Sequence, residues 1–338
     1  MKKRVLVSKP MHYVPQADAA LKQAMEIIMS PAPTEEAMLP LMRDVHAVIA
    51  HGAPVSAKMI QSAPLLEVIS TPQIGFDRVD VAAATKAGIP VVTNAGLSPG
   101  TAAEFVMGLM IALSRHIVRA DRDLRLQKNW SSRLPYVEAS QDMGIELREA
   151  TIGLVGLGSI GSSLAALLQA AFNTRILAYD PWVSREKMAA QKVEKREDLL
   201  VMAKEVDILS LHLALTPQTR HLIDETFLKS MKPRGYLVNC ARGEIVDEKA
   251  LVKALQEKWI AGAAVDVYED EPVKPQNPLF TLPNVITTPH IAGISIQSSE
   301  ERISLVVRRL LTTLAGEKPQ GLANPEVWDI YLQKMKKQ

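Results

Sequence analysis

Residues 151–161, Thr151-Ile-Gly-Leu-Val-Gly156-Leu-Gly158-Ser-Ile-Gly161, constrain the fold more than any other part of the chain. An apolar run enters a GxGxxG turn and leaves it as an apolar helical pattern. Each glycine meets a different demand of such a turn: Gly156 the sharp bend, Gly158 a close approach of backbone to a pyrophosphate, Gly161 close packing of helix on strand. The helix that starts there offers unpaired N–H groups, those of Ser159 and Ile160, to an anion. The next apolar run ends at Asp180, at the roughly 20-residue offset where an acidic residue meets the hydroxyls of an adenosine ribose. A carboxylate there repels a 2′-phosphate, so the pattern predicts NAD in preference to NADP, with Arg185 a few residues on as the opposing feature. Strand, turn, helix and acid in register are far more specific than the glycines alone.

Short apolar runs alternate with helical patterns on both sides of this motif. Before it, residues 4–7, 26–29, 47–50, 66–69 and 90–93 read as buried strands. Thr34, Ser56 and Asp80 read as helix N-caps, and Gly88 as a helix stop. A long helix is predicted over 101–127, followed by a polar break containing Trp130 and Pro135. After the break, 151–155, 175–179, 207–211, 235–239, 262–267 and 284–287 read as strands, and 159–172 and 247–257 as helices. Such alternation gives a parallel sheet with helices on both faces. Two arrays predict an α/β protein of two doubly wound parallel-sheet domains. A last helix, 298–315, has no place left in the second array and is expected to pack back on the first domain. The chain would then cross twice, with 1–98 and 291–330 as one domain, 99–290 as the nucleotide domain and 331–338 as a C-terminal tail.

Bulk properties mainly exclude. Lys and Arg number 39 against 37 Asp and Glu, and a net charge of +2 gives no electrostatic basis for nucleic-acid or membrane-surface partners. The longest apolar run, 105–113, falls short of the ~18 residues a membrane span needs, and the run after the basic start is too short for a secretory signal. A single cysteine excludes an internal disulfide framework and a Cys-rich zinc site, and no metal is expected. The expectation is a soluble, cytoplasmic protein.

Ligands of doubly wound sheets bind beyond the carboxyl ends of the strands. In the second array those ends carry His212 with Thr216 beyond it, Asn239-Cys240-Ala241-Arg242, Asp266 with Glu269-Asp270-Glu271-Pro272, and Thr288-Pro289-His290 followed by Gly293. Reducing a 2-oxo acid requires a cation for the substrate carboxylate, a general acid for the carbonyl oxygen and a group that holds that acid. Arg242 suits the first role, because a guanidinium grips a carboxylate in a fork. His290 suits the second, since imidazole titrates near neutrality. A carboxylate beside His290 suits the third, and spacing permits either Glu271 or Asp266. Cys240 reads as a small buried residue near the nicotinamide rather than a nucleophile. His12, His46, His51, His116 and His221 show no partner pattern and read as structural or exposed, while His212 sits at a cofactor-facing strand end.

With these motifs in this order, the chain resembles the D-isomer-specific 2-hydroxyacid dehydrogenases. The likeness rests on Gly75-Phe-Asp77-Arg-Val-Asp80, Asn94, Thr101-Ala-Ala-Glu104, the glycine turn, Tyr179-Asp180-Pro181, Leu215-Thr216-Pro217, Val238-Asn-Cys-Ala-Arg242-Gly243, Asp266-Val-Tyr, Glu271-Pro272, Thr288-Pro-His290 and Asn324-Pro-Glu-Val-Trp328. It implies a Rossmann nucleotide domain plus a flavodoxin-like substrate domain with a cleft between them, a homodimer, and no appended regulatory domain. It implies that Arg242 binds substrate, that Glu271 pairs with His290 as acid/base, and that Asp266 contacts the nicotinamide side. The combined reading assigns cofactor contacts to Gly156, Gly158, Ser159, Ile160, Gly161, Asp180, His212, Thr216, Cys240, Ala241, Arg242, Asp266, His290 and Gly293. It assigns substrate contacts to Ile74, Gly75, Ser98, Arg242 and His290. Gln73 stands where many members carry Gly, Ser98 where phosphoglycerate-type members carry Asn, and Ala214 where Pro is common.

The expected activity is hydride transfer between NAD(H) and a small 2-oxo acid or its (R)-2-hydroxy acid. Two other readings share the motifs: an NAD(H)-sensing interaction module of the corepressor type, and a formate- or phosphite-type dehydrogenase.

Overall fold

The computed structural model describes residues 2–11, 14–73, 75–95, 97, 99–128, 130 and 143–336. They divide into two compact units, Met1–Ser98 with Ser295–Gln338, and Pro99–Ile294.

The first unit contains β1 (Arg4–Val7), α1 (Pro15–Ala24), β2 (Glu26–Met29), α2 (Glu35–Met38), β3 (Ala47–Ile49), α3 (Ala57–Gln61), β4 (Val68–Ser70), α4 (Val81–Lys86) and β5 (Val91–Val92). The strands form one parallel sheet in the order β2-β1-β3-β4-β5, the flavodoxin-like order. Successive side chains of a strand face opposite ways. Leu6 of β1 accordingly enters a core with Met38, Met42 and Ile69, while Val5 and Val7 enter another with Leu21, Ile49, Val306 and Leu310. Thr34, Ser56 and Asp80 accept from the backbone N–H groups of Ala37, Met59 and Ala83 and so cap three of these helices.

The other unit starts with α5 (Gly100–Ser114) and α6 (Ile117–Gln127). Its sheet alternates β6 (Thr151–Val155), α7 (Ser159–Phe172), β7 (Arg175–Tyr179), α8 (Arg185–Ala190), β8 (Glu194–Lys195), α9 (Leu199–Glu205), β9 (Ile208–Leu211), α10 (Glu225–Ser230), β10 (Tyr236–Asn239), α11 (Glu248–Gln256), β11 (Gly262–Val265) and β12 (Val285–Thr287). All pairings are parallel, in the order β12-β11-β10-β9-β6-β7-β8. From β8 inward this is the 3-2-1-4-5-6 order of dinucleotide-binding sheets, extended by one strand. The chain then returns to the first unit through α12 (Ile296–Leu314) and α13 (Trp328–Met335).

Three expectations are corrected. The helix expected over 101–127 is broken: α5 and α6 meet at a 56° bend. At the bend His116 adopts a left-handed backbone, φ 56°, which ends one helix and starts the other. Residues 331–335, expected as part of a tail, are helical, because Trp328 and Tyr331 are buried and the Tyr331 hydroxyl donates to the Thr313 carbonyl at 2.9 Å. The two-residue β8 and the short α8–α10 were not read as elements, although Ser184, Asp198 and Asp224 cap those helices through their side chains. The break at residues 131–142 lies outside the described residues. No single described helix is long and apolar enough to cross a membrane.

Candidate active site

At the carboxyl end of β6 each glycine of the turn has its own physical reason. Gly156 has φ +95°, and a Cβ there would lie 2.6 Å from the His212 carbonyl oxygen. A Cβ on Gly161 would lie 2.5 Å from the Gly156 carbonyl oxygen, so helix α7 packs on the turn only because that side chain is missing. A Cβ on Gly158 would meet nothing within 4 Å. That open backbone, next to the first-turn N–H groups of Ser159 and Ile160, is what a pyrophosphate requires. These residues fit a dinucleotide.

Asp180, expected at the ribose, is mostly buried. Its Oδ2 accepts from the Leu157 N–H at 2.9 Å and its Oδ1 from the Trp182 N–H at 2.9 Å. The carboxylate thus ties the end of β7 to the glycine turn, and its remaining lone pairs are those left for a ligand. Arg185 is exposed and paired with Glu197 at 3.2 Å. His212 is packed behind the turn, and its Nε2 has no hydrogen-bond partner among the described residues. Burial pushes its imidazole down to about 4, so it is neutral near pH 7. Thr216 lies in an exposed turn, where its backbone N–H and side chain both bond to Thr219.

The chemistry-bearing loops follow β10, β11 and β12. Asn239, at the end of β10, donates from Nδ2 to the Arg242 carbonyl at 2.9 Å and accepts from the Ala241 N–H at 3.0 Å, which folds the turn that presents Arg242. Gly243 allows this loop to touch the next: a Cβ there would overlap the backbone of Tyr268 and Glu269. The Arg242 and Glu271 loops are therefore packed backbone against backbone.

Glu271 Oε2 lies 2.8 Å from His290 Nδ1, and Glu271 Oε1 accepts from the Tyr268 N–H at 3.2 Å. A carboxylate only accepts, so the proton between them sits on Nδ1 and leaves Nε2 as the working nitrogen. Glu271 is mostly covered, with its side chain 23% exposed, whereas half of the His290 side chain is open. His290 has φ 56°, a left-handed conformation that costs a non-glycine residue roughly 1–2 kcal/mol.

Asp266 holds that conformation. It has no exposed surface. Its Oδ1 accepts from the Thr288 hydroxyl at 2.6 Å and the Ile291 N–H at 2.9 Å, and its Oδ2 from the Ala292 N–H at 2.8 Å. Asp266 thus anchors both flanks of His290. Tyr268 adds a second tether from its hydroxyl to the Thr288 carbonyl at 3.0 Å, and burial first, then Asp266, pushes its phenol up to about 12. Cys240 is largely enclosed; burial and Asp266 push its thiol above the ordinary range, so it is no nucleophile. Ala241 is buried, and a Cβ on Gly293 would stand in open space. His221, read as unpartnered, lies 2.6 Å from Glu269, and His46 Nδ1 accepts from the Arg4 N–H.

Sequence reasoning missed the holding functions of Asn239, Gly243 and Tyr268. Their only signal was position directly at or after a strand end. Gly75 belongs to the first unit, and Ile74 and Ser98 lie outside the described residues.

A profile of the D-isomer specific 2-hydroxyacid dehydrogenase NAD binding domain matches residues 107–292. A glyoxylate reductase of Thermofilum pendens is 40% identical over 317 residues, 91% of each chain. The chain belongs to the D-isomer-specific 2-hydroxyacid dehydrogenase family. Among solved structures, a D-lactate dehydrogenase of Aquifex aeolicus, complexed with NAD and lactic acid, aligns with a TM-score of 0.83 at 28% identity, covering 93% of this chain and 96% of that one. An NADPH-dependent glyoxylate/hydroxypyruvate reductase of Sinorhizobium meliloti, in complex with NADP and malonate, aligns with a TM-score of 0.83 at 29% identity, covering 96% and 97%. This member of the family is therefore an NAD(P)-linked 2-hydroxyacid dehydrogenase, built on two parallel-sheet α/β units.

Proposed function

We propose that the enzyme reversibly reduces a small 2-oxo acid to the (R)-2-hydroxy acid, with His290 as acid/base, Glu271 as its support and Arg242 as the substrate cation. The observation that carries the reading is the 2.8 Å Glu271–His290 pair on a loop clamped by Asp266, beside the Arg242 turn. Arg242 holds the substrate carboxylate and draws charge from the carbonyl. His290 gives its Nε2 proton to the carbonyl oxygen as that oxygen becomes a hydroxyl, and takes it back in the oxidative direction. Glu271 accepts from Nδ1 and keeps the ring in one orientation. Bound NADH supplies the hydride that reaches the carbonyl carbon. The Gly156–Gly161 turn and the Ser159 and Ile160 N–H groups would hold its pyrophosphate, and Asp180 its ribose. The negative charge of Asp180 supports NAD over NADP.

The exposed apolar side chains of α6, with Ile117 52% and Leu126 75% exposed and no residue of the helix buried, support a homodimer that covers them. Light scattering on wild type and Leu126→Glu tests this: a dimer is expected, and a monomer for the variant. The activity is tested by NADH and NADPH oxidation with glyoxylate, hydroxypyruvate and pyruvate. Turnover favouring NADH is expected, and no turnover with any 2-oxo acid contradicts the reading.

A further inference from the structure

A second histidine–carboxylate pair lies beside the first. The loop after β11 carries Glu269 as well as Glu271. Glu271 meets His290, and Glu269 Oε1 lies 2.6 Å from Nε2 of His221, in the chain that follows β9. Because a carboxylate only accepts, Nε2 carries the proton, and the bond forms with a neutral or a charged ring alike. His221 has φ 52°, a left-handed conformation that a non-glycine residue keeps only where its surroundings over-determine it.

Those surroundings are the two loops that carry the chemistry. The His221 N–H donates to the carbonyl of Glu244, just beyond Arg242 and Gly243, at 2.8 Å. The following residues extend this tie. The Ile223 N–H donates to the Ile245 carbonyl at 3.1 Å and the Asp247 N–H to the Ile223 carbonyl at 3.0 Å, a parallel bridge of Ile223 with Val246. Arg220 adds its guanidinium 3.8 Å from the Glu244 carboxylate. By its backbone, therefore, His221 belongs to the Arg242 loop, and by its ring to the Glu271 loop. Glu269 is also held by its backbone: its N–H donates to Glu248 Oε2 at 3.2 Å, and Glu248 Oε1 accepts from Asn277 Nδ2 at 2.7 Å. Gly243 lets the two loops touch without a side chain between them. Bonds from His221 and Glu248 cross that seam, and both end on Glu269. The His221 and Glu269 side chains are 41% and 30% exposed, so their pairing adds little to global stability. What it does join is the loop of the substrate cation to the loop that supports the proton donor.

We propose that His221 is a positioning residue: gripping Glu269 while its own backbone is bonded to Glu244, it sets Glu271, and with it His290, in register with Arg242. This rests on the activity proposed above and adds a residue to its machinery. The proton donor and the substrate cation must meet one small substrate at the same time, and they come from separate loops.

Steady-state kinetics on the intact enzyme test this, with saturating NADH and the 2-oxo acid that the wild type turns over fastest. His221→Ala is expected to lower kcat about tenfold, part of the loss that an ångström of misplacement brings. NADH affinity by fluorescence titration and the midpoint of urea unfolding are expected to stay near those of the wild type. In His221→Gln an amide N–H replaces the imidazole donor, and kcat is expected to recover to within about threefold of the wild type. Glu269→Ala is expected to match His221→Ala, and the double variant to lose no more than either alone, as one shared bond requires. An unchanged kcat in His221→Ala, a loss that His221→Gln does not repair, losses that multiply in the double variant, or a loss that tracks a lowered urea midpoint overturns the inference alone. A loss confined to NADH affinity overturns it too, because His221 then serves only the turn at Thr216. Absence of turnover by the wild type with every 2-oxo acid overturns the activity reading as well.

Discussion

The two sheet poles treat their polar groups in opposite ways. Beyond β10–β12 nearly every polar atom has a partner: Asp266 accepts three hydrogen bonds, Glu271 joins Tyr268 and His290, and Asn239 folds its own turn. Beyond β3 the buried His51 Nδ1 has no hydrogen-bond partner among the described residues. The difference separates two tasks. A proton-transfer group must be in place before substrate arrives, since misplacement by an ångström costs about 10²-fold. A buried imidazole without a partner has no such task, and burial lowers its pKa.

The sharpest break of this comparison is at Arg242. Replacing it with Met is expected to lower kcat/KM for 2-oxo acids by about 10³, because a buried-site charge clamp is lost from the transition state. Steady-state kinetics with glyoxylate measures it, and a loss below tenfold removes Arg242 from the substrate. Next comes the wiring itself. Asp266→Ala leaves the Ile291 and Ala292 N–H groups and the Thr288 hydroxyl without their acceptor, which is expected to cost about 3 kcal/mol in urea unfolding and about 10² in kcat. If kcat survives while stability falls, the clamp matters to the fold and not to His290.

The smallest effect concerns the two buried imidazoles, His212 in one unit and His51 in the other, both pushed from 6.5 to about 4. The unfolded chain binds more protons than the folded one between those values, so stability is full above pH 6.5 and falls as pH drops toward 4. His212→Asn and His51→Asn are each expected to flatten that fall in chemical denaturation. A fall left unchanged in either variant removes that imidazole from the pH dependence.

Much of this was legible in the residues. The glycine turn was, because its three glycines sit at fixed offsets and each answers a separate steric demand. The sheets were, because β-branched runs recur with cap residues between them. The short α8–α10 were not, since a helix of one or two turns shows too little periodicity to stand out from a loop. The Asp266 anchor was not legible, because spacing alone cannot show which backbone N–H groups a carboxylate accepts from.

The central claim is that His290, held by Glu271, supplies the proton. Single-turnover reduction of glyoxylate by His290→Ala, with NADH affinity measured by fluorescence titration on the same sample, tests it directly. The account predicts a rate lowered by at least about 10² with NADH binding preserved. A rate close to that of the wild type would contradict it.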